Sequence, residues 1–148
     1  MVDHLRIQLE RQEGKRYTPY DDDNGKVLKT GDTIKGKITV GIGWNMSDVP
    51  LPEEIVIRLY EISIKNVDDA LAHYLPWVSD MDDVRKDVLR NMCFNMGIKR
   101  LLEFGNTLAD CKSRNYVSAA NKLKTSLWAS QVPVRAKELI NQLETGIR

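Results

Sequence analysis

The sequence QEGKRYTPYDDDNG, residues Gln12–Gly25, is the most informative segment of the chain. It places Glu13 directly before a glycine that can end a helix, and three aspartates follow in a turn, the middle one about nine positions later. Two carboxyl groups in such different surroundings can differ in protonation at one pH, so that one donates a proton while the other is ionised. Cleavage of a glycosidic bond requires these two roles.

Length and composition indicate an ordinary globular protein. The chain has 148 residues, of which 42% are hydrophobic and 29% are charged. This length fits one domain and lets folding bury about 70% of the unfolded surface. The sequence contains no run of about 18 apolar residues, so we predict no transmembrane helix. The N-terminus also lacks the apolar run of a secretory signal. We therefore expect synthesis in a cytoplasm and no stable membrane insertion.

The net charge of +1 is unevenly distributed. Residues 1–66 carry 10 basic and 11 acidic side chains, a net charge of −1. Residues 67–96 carry 3 basic and 6 acidic side chains, a net charge of −3. Residues 97–148 carry 9 basic and 4 acidic side chains, a net charge of +5. A basic C-terminal third can attract an anionic polymer such as cell wall, although a solvated helical surface is the simpler interpretation. No motif indicates nucleic-acid binding.

We predict no catalytic or metal-binding role for the two cysteines and the two histidines. Cys93 and Cys111 have no spacing typical of a metal site and no histidine nearby in sequence to activate a thiol. We expect both to be reduced and Cys93 to be buried. His4 and His73 fall on surface-like helical positions. The sequence therefore predicts no metal and no cofactor.

Hydrophobic spacing predicts an α+β fold that is mostly helical. A helix over residues 3–12 ends at Gly14, whose left-handed conformation stops it. A small antiparallel sheet of two or three strands follows over 17–44. A long helix opens at Pro50 and stops at Pro76. Further helices are predicted over 83–96, at roughly 106–113 and 116–126, and after Pro133.

Thr39 lies within a short strand of alternating character. Ile38, Val40 and Ile42 point to one face of that strand, so Thr39 faces the opposite one. Glu13, at the carbonyl end of its helix, meets a dipole that disfavours negative charge, which suits a proton donor. The hydroxyl of Thr39, the carboxyl group of Glu13 and the aspartate turn thus lie in the same N-terminal part of the sequence.

Three segments together resemble the phage-type lysozymes, the endolysin muramidases of glycoside hydrolase family 24. They are Glu13-Gly14 with Tyr20-x-Asp22 and Gly25, then Thr39–Gly43, then Arg90–Gly97 with Phe104–Leu108 and Trp128–Arg135. The resemblance implies one lysozyme-like domain over 1–148. Within it, a sheet-containing lobe over 14–52 is joined by a helix over 53–75 to a helical lobe built from 1–13 and 76–148.

The same resemblance implies a catalytic trio of Glu13, Asp22 and Thr39. Glu13 would protonate the leaving oxygen, Asp22 would stabilise the oxocarbenium-like charge and help to hold the attacking water, and Thr39 would fix that water. Inversion at the anomeric carbon is implied. Asp21 and Asp23 share with Asp22 the alternative role of capping turn amides, and we expect one of these two to have it.

Further site residues are implied by resemblance. Arg135 matches an arginine that pairs with the catalytic glutamate and orients it, while Phe94, Asn95 and Thr107 match positions that line the sugar cleft. Trp44 departs from the pattern, because relatives usually have histidine there. It could stack on a sugar ring, but core packing is the favoured interpretation. A second departure is a longer connection over residues 26–38.

The expected activity is hydrolysis of the β-1,4 bond between N-acetylmuramic acid and N-acetylglucosamine in peptidoglycan, for host lysis. This describes a monomeric bacteriolytic, antimicrobial hydrolase of a bacteriophage, made in the host cytoplasm and acting in the periplasm after holin-assisted release. A lytic transglycosylase is the alternative enzyme. A tail-associated lysozyme and a non-catalytic wall-binding module stay open as well.

Overall fold

The computed structural model describes residues 2–148, so position 1 of the predicted domain lies outside the described residues. The described chain forms eight α-helices and a three-stranded antiparallel sheet. The predicted α+β, mostly helical, lysozyme-like fold is thereby confirmed. The chain separates into two compact units, one ending at Ile57 and the other running from Arg58 to Arg148. The predicted lobe boundaries stay a prediction.

The first unit contains one helix and the sheet. Its elements are α1 (His4–Glu13), β1 (Arg16–Asp21), β2 (Ile38–Gly41) and β3 (Trp44–Asn45). The helix begins as predicted, since Asp3 accepts a hydrogen bond from the Arg6 amide at 2.9 Å. Gly14 follows with φ 79° and ψ 159°, so the positive φ was predicted correctly but the backbone is extended rather than left-handed helical.

The long helix α2 (Glu53–Tyr74) crosses the boundary between the units. The sequence predicts an apolar stripe through Ala70 and Tyr74, but the buried residues of this helix are Val67 and Leu71. Two apolar stripes of the same period run along α2, and periodicity alone cannot choose between them. Contact with the core of the second unit makes the choice.

The second unit is entirely helical. It contains the 3-10 helix Pro76–Asp80 and the helices α3 (Asp83–Met96), α4 (Ile98–Leu102), α5 (Gly105–Lys112), α6 (Tyr116–Lys124), α7 (Leu127–Gln131) and α8 (Pro133–Thr145). The sequence analysis missed the 3-10 helix, α4 and α7. Each has five residues, too few to show a helical period.

The core of the second unit forms around α3. Val88, Leu89, Met92 and Cys93 are buried on this helix, and Gly97 ends it with φ 82°, as predicted. The spacing of four apolar residues predicts the inner side of α8, and all four are buried: Ala136, Leu139, Ile140 and Leu143. Among the described helices, none combines the length and the apolar character that crossing a bilayer would require.

Candidate functional site

Glu13 closes α1, and its carboxylate lies against the turn between β2 and β3. A Cβ added to Gly43 would stand 3.5 Å from Oε2 of Glu13. Gly43 also has φ 74°, a conformation that side chains rarely adopt. The side chain of Glu13 is exposed. At Gly43, the turn after β2 therefore has only backbone atoms next to the carboxylate of Glu13, the residue predicted to be the catalytic acid.

The three consecutive aspartates have different surroundings. Asp21 is 1% exposed, and its carboxylate accepts hydrogen bonds from the backbone amides of Lys35 at 2.7 Å, Gly36 at 2.9 Å and Asp23 at 3.0 Å. The amide of Lys35, more than any other group, holds the pKa of Asp21 below its usual value. Asp21 is therefore the member of the run that caps turn amides.

Asp22 is exposed and has a single backbone donor on its side chain. Its Oδ1 accepts a hydrogen bond from the Lys37 amide at 2.6 Å, while its own amide donates to the Lys37 carbonyl at 3.0 Å. Oδ2 has no such contact within the described residues. One carboxylate oxygen is thus fixed by backbone and the other faces solvent, an arrangement that suits contact with a substrate or a water molecule.

Thr39 lies in the central strand of the sheet and is 5% exposed. It pairs with Tyr20 of β1 and with Asn45 of β3. Its hydroxyl donates weakly to the Lys37 carbonyl, over 3.4 Å. The sequence analysis predicted correctly that Thr39 lies on the face opposite Ile38; the structure adds that Thr39 is the more buried of the two.

The sheet brings two members of the predicted trio close together. Since Asp22 bonds to Lys37, it lies two residues from Thr39 along the neighbouring chain, roughly 7 Å at strand spacing. Glu13 contacts the same β2–β3 hairpin at its far turn, through Gly43. All three residues therefore belong to the first unit and lie along β2 or its flanks: Thr39 within the strand, Asp22 beside the residue before it, and Glu13 beside the turn after it.

Trp44 begins β3 and is half-buried. Its indole Nε1 is buried and has no hydrogen-bond partner among the described residues. A buried indole N–H normally has an acceptor. The choice between core packing and a sugar contact for Trp44 stays a prediction.

The remaining predicted site residues lie in the second unit, in separate places. Phe94 and Arg135 line one open cavity of about 460 Å³. Thr107 is buried and lines a different one, of about 340 Å³, together with Asn106. Asn95 borders neither cavity, and its side-chain oxygen accepts a hydrogen bond from Trp128 Nε1 at 3.1 Å. The predicted pairing of Arg135 with the catalytic glutamate stays a prediction.

Neither cysteine supplies a reactive thiol to this carboxylate site. Cys93 and Cys111 are free and buried. Burial raises the pKa of the Cys111 thiol to about 11, which leaves very little of the nucleophilic thiolate near neutral pH. Over residues 2–148, no cluster of His, Cys, Asp and Glu is arranged to hold a metal ion.

Comparison with known proteins points in the same direction as the site. A protein of Dictyostelium discoideum named "Probable T4-type lysozyme 2" is 25% identical over an alignment of 165 positions, which covers 99% of this chain and 96% of the relative. "Probable T4-type lysozyme 1" of the same organism is 34% identical over 67 residues, 45% of this chain and 39% of the relative. No family model matches the chain.

The chain is similar to T4-type lysozymes. The full-length match is the one that carries weight, because the other spans well under two thirds of its relative.

Three features of the site were missing from the sequence analysis. Gly36 and the Lys37 amide contact the aspartate turn from a position about 15 residues away in sequence, and Gly43 borders Glu13. The glycines were visible in the sequence, but turn composition does not say which side chain a glycine will face. The backbone amide of Lys37 carries no sequence signal at all.

Proposed function

We propose that this protein is a muramidase, which hydrolyses the β-1,4 bond between N-acetylmuramic acid and N-acetylglucosamine in peptidoglycan. The observation that carries the proposal is the placement of Glu13, Asp22 and Thr39 along strand β2 and its two flanks in the first unit. The full-length similarity to a T4-type lysozyme supports the same activity.

In the proposed reaction Glu13 is the general acid. It protonates the glycosidic oxygen as the bond to the anomeric carbon breaks, and a water molecule attacks that carbon from the opposite face. Asp22 stabilises the positive charge and, through its free oxygen, takes a proton from the water as the new bond to carbon forms. Thr39 holds the water. Inversion follows if the two carboxyl groups lie about 6.5–9.5 Å apart, because that gap admits the water.

Side chains outside the trio would hold the sugars. The oxygen of Asn95 already accepts from Trp128, which leaves its two N–H donors for the carbonyl of an acetamido group. The half-buried ring of Trp44 would offer a further face for stacking on a sugar. Phe94 offers an exposed ring, 52% accessible, for contact with a sugar face. Thr107 and Arg135 complete the proposed set, Arg135 by orienting Glu13.

Analysis of the products from purified Gram-negative sacculi tests this proposal. A muramidase leaves reducing N-acetylmuramic acid ends, whereas a lytic transglycosylase, the second candidate enzyme, leaves anhydro ends. We expect reducing ends from the wild type and essentially no soluble product from Asp22→Asn. Anhydro ends would establish the second candidate, and sacculus binding without soluble product would indicate a non-catalytic wall-binding module.

The cellular setting is a finer proposal. As an endolysin for host lysis, the protein would be made in a phage-infected cytoplasm, reach the periplasm with the help of a holin, and act as a monomer. Both relatives come from Dictyostelium discoideum, which is not a phage, so the hydrolase proposal stands without this setting. Lysis from within on co-expression with a holin, and no lysis without one, is the expected result.

A further inference from the structure

The connection over residues 26–38 is anchored to the aspartate turn by its C-terminal end. The amides of Lys35 and Gly36 donate to the buried carboxylate of Asp21, and the Lys37 amide donates to Asp22. Three consecutive amides of this connection therefore point at two adjacent carboxylates. The N-terminal end of the connection is also held, by an isolated antiparallel β-bridge between Tyr20 and Val27.

Gly36 lies so close to the turn that no side chain fits there. An added Cβ would overlap Oδ1 of Asp22, and it would stand 2.7 Å from both Oδ1 of Asp21 and the backbone nitrogen of Asp23. Two of these three atoms belong to the turn's anchored parts, the buried carboxylate and the backbone, which cannot swing away as a flexible side chain could. This glycine is needed for space, since its φ is not in the left-handed region.

We propose that Asp21 and Gly36 are positioning residues that fix the catalytic carboxylate of Asp22. The inference rests on the proposed muramidase function. Asp21 holds the 35–36 backbone by accepting two of its amides, and Gly36 lets that backbone approach closely enough for the next amide, that of Lys37, to reach Asp22. The C-terminal end of the connection, residues 35–37, is thus what positions the catalytic carboxylate.

The physical reason is that Asp22 is otherwise unrestrained. It is exposed, and the Lys37 amide is the one backbone donor to its side chain in the described chain. Without that bond the carboxylate would sample several rotamers. A displacement of about 1 Å at a reacting group can reduce the rate about a hundredfold while substrate binding is little changed. We therefore expect a lower maximal rate and an unchanged half-saturating substrate concentration when this positioning is lost.

Asp21→Asn and Gly36→Ala test the proposal, with Asp32→Asn as the matched control. Asp32 lies in the same connection and accepts the Lys29 amide at 2.9 Å, but it does not touch Asp22. We expect the maximal rate on sacculi to fall at least tenfold in Asp21→Asn and Gly36→Ala, with the half-saturating sacculus concentration within twofold of wild type. Asp32→Asn should stay within twofold in both quantities.

Amide hydrogen exchange of Lys37 gives a readout that needs neither activity nor the more disruptive variants. In the wild type this amide should be protected, and Asp22→Asn should weaken its protection at least fivefold. Free exchange of the Lys37 amide in the wild type overturns the inference. So does full turnover of folded Gly36→Ala and Asp21→Asn beside an inactive Asp22→Asn. A wild type without turnover overturns the muramidase proposal and this inference with it.

Discussion

Glu13 and its contact with Gly43 define the acid end of the site. The residue closes α1, and the carboxylate lies beside a glycine in a conformation that only glycine adopts readily. A general acid has to be protonated when substrate binds and must reach the leaving oxygen. The proposed role of Glu13 therefore depends on the proton of its carboxyl group and hardly at all on the shape of its side chain.

Replacement of Glu13 by glutamine should remove the acid and keep the shape. We expect Glu13→Gln to lower the lysis rate of chloroform-treated Gram-negative cells at least a hundredfold, because general acid catalysis contributes about 10²–10⁴-fold. The control is Glu10→Gln on the same helix, where the carboxylate pairs with Arg6 at 3.3 Å. That variant should keep at least half the wild-type rate. An unchanged rate in Glu13→Gln would end the assignment.

Thr39 gives a second prediction at this scale. Thr39→Val removes a buried hydroxyl whose protein contact is long, 3.4 Å to the Lys37 carbonyl. The free energy of unfolding should therefore change by no more than about 1 kcal/mol. Turnover should fall at least tenfold, because the hydroxyl no longer holds the water. Thr39→Ser should restore most of the activity; a fully active Thr39→Val would contradict the role.

Helix α8 is held at its C-terminus by one arginine of α3. Arg85 donates from Nε to the Leu143 carbonyl at 2.7 Å and from Nη2 to the Glu144 carbonyl at 3.0 Å. Its guanidinium also lies 4.0 Å from the centre of the Tyr116 ring. These contacts satisfy carbonyls that a helix end leaves without partners, and they join α3, α6 and α8.

Arg85→Ala should consequently weaken the second unit. We expect a loss of about 2–4 kcal/mol in the free energy of unfolding, measured by urea titration, from two charge-assisted hydrogen bonds and a cation–π contact. Lys65→Ala is the comparison, because Lys65 pairs with Asp69 on an exposed stretch of α2 and should change stability by less than about 0.5 kcal/mol. Equal effects of the two variants would show that Arg85 does not hold α8.

Several carboxylates make the stability of the whole molecule sensitive to acid. Backbone hydrogen bonding, from Lys35 first, lowers the pKa of Asp21. Hydrogen bonds from Lys37 and Lys122, respectively, do the same for Asp48 and Asp110. A carboxyl group whose pKa is lower in the folded than in the unfolded state stabilises the fold above its unfolded pKa, and this contribution is lost as pH falls through the folded value.

The free energy of unfolding should therefore be nearly constant from pH 7 to about pH 5 and fall steadily below about pH 4. Urea titrations at several pH values would measure it. Asp110→Asn should flatten the decline, because it removes one of the carboxylates that must be protonated. A stability that rises on acidification would contradict the assigned shifts.

Residues close together in the chain were enough to predict the helical periods and the hairpin of the first unit. Apolar residues at i, i+3, i+4 and i+7 identified the inner side of α8, and an aspartate cap and glycine stop identified α1. These features depend on residues within a few positions of one another. Local sterics, capping and side-chain burial decide them, so a single chain is enough to read them.

The contacts that hold Asp22 and the choice of the buried stripe of α2 depend on the folded chain and could not be predicted from the residues. The donors that hold Asp21 and Asp22 against residues 35–37 are backbone amides about 15 residues away, and every residue but proline has such an amide, so residue identities carry no signal for them. The stripe of α2 was likewise ambiguous, because two apolar faces share one period until the surrounding core covers one of them.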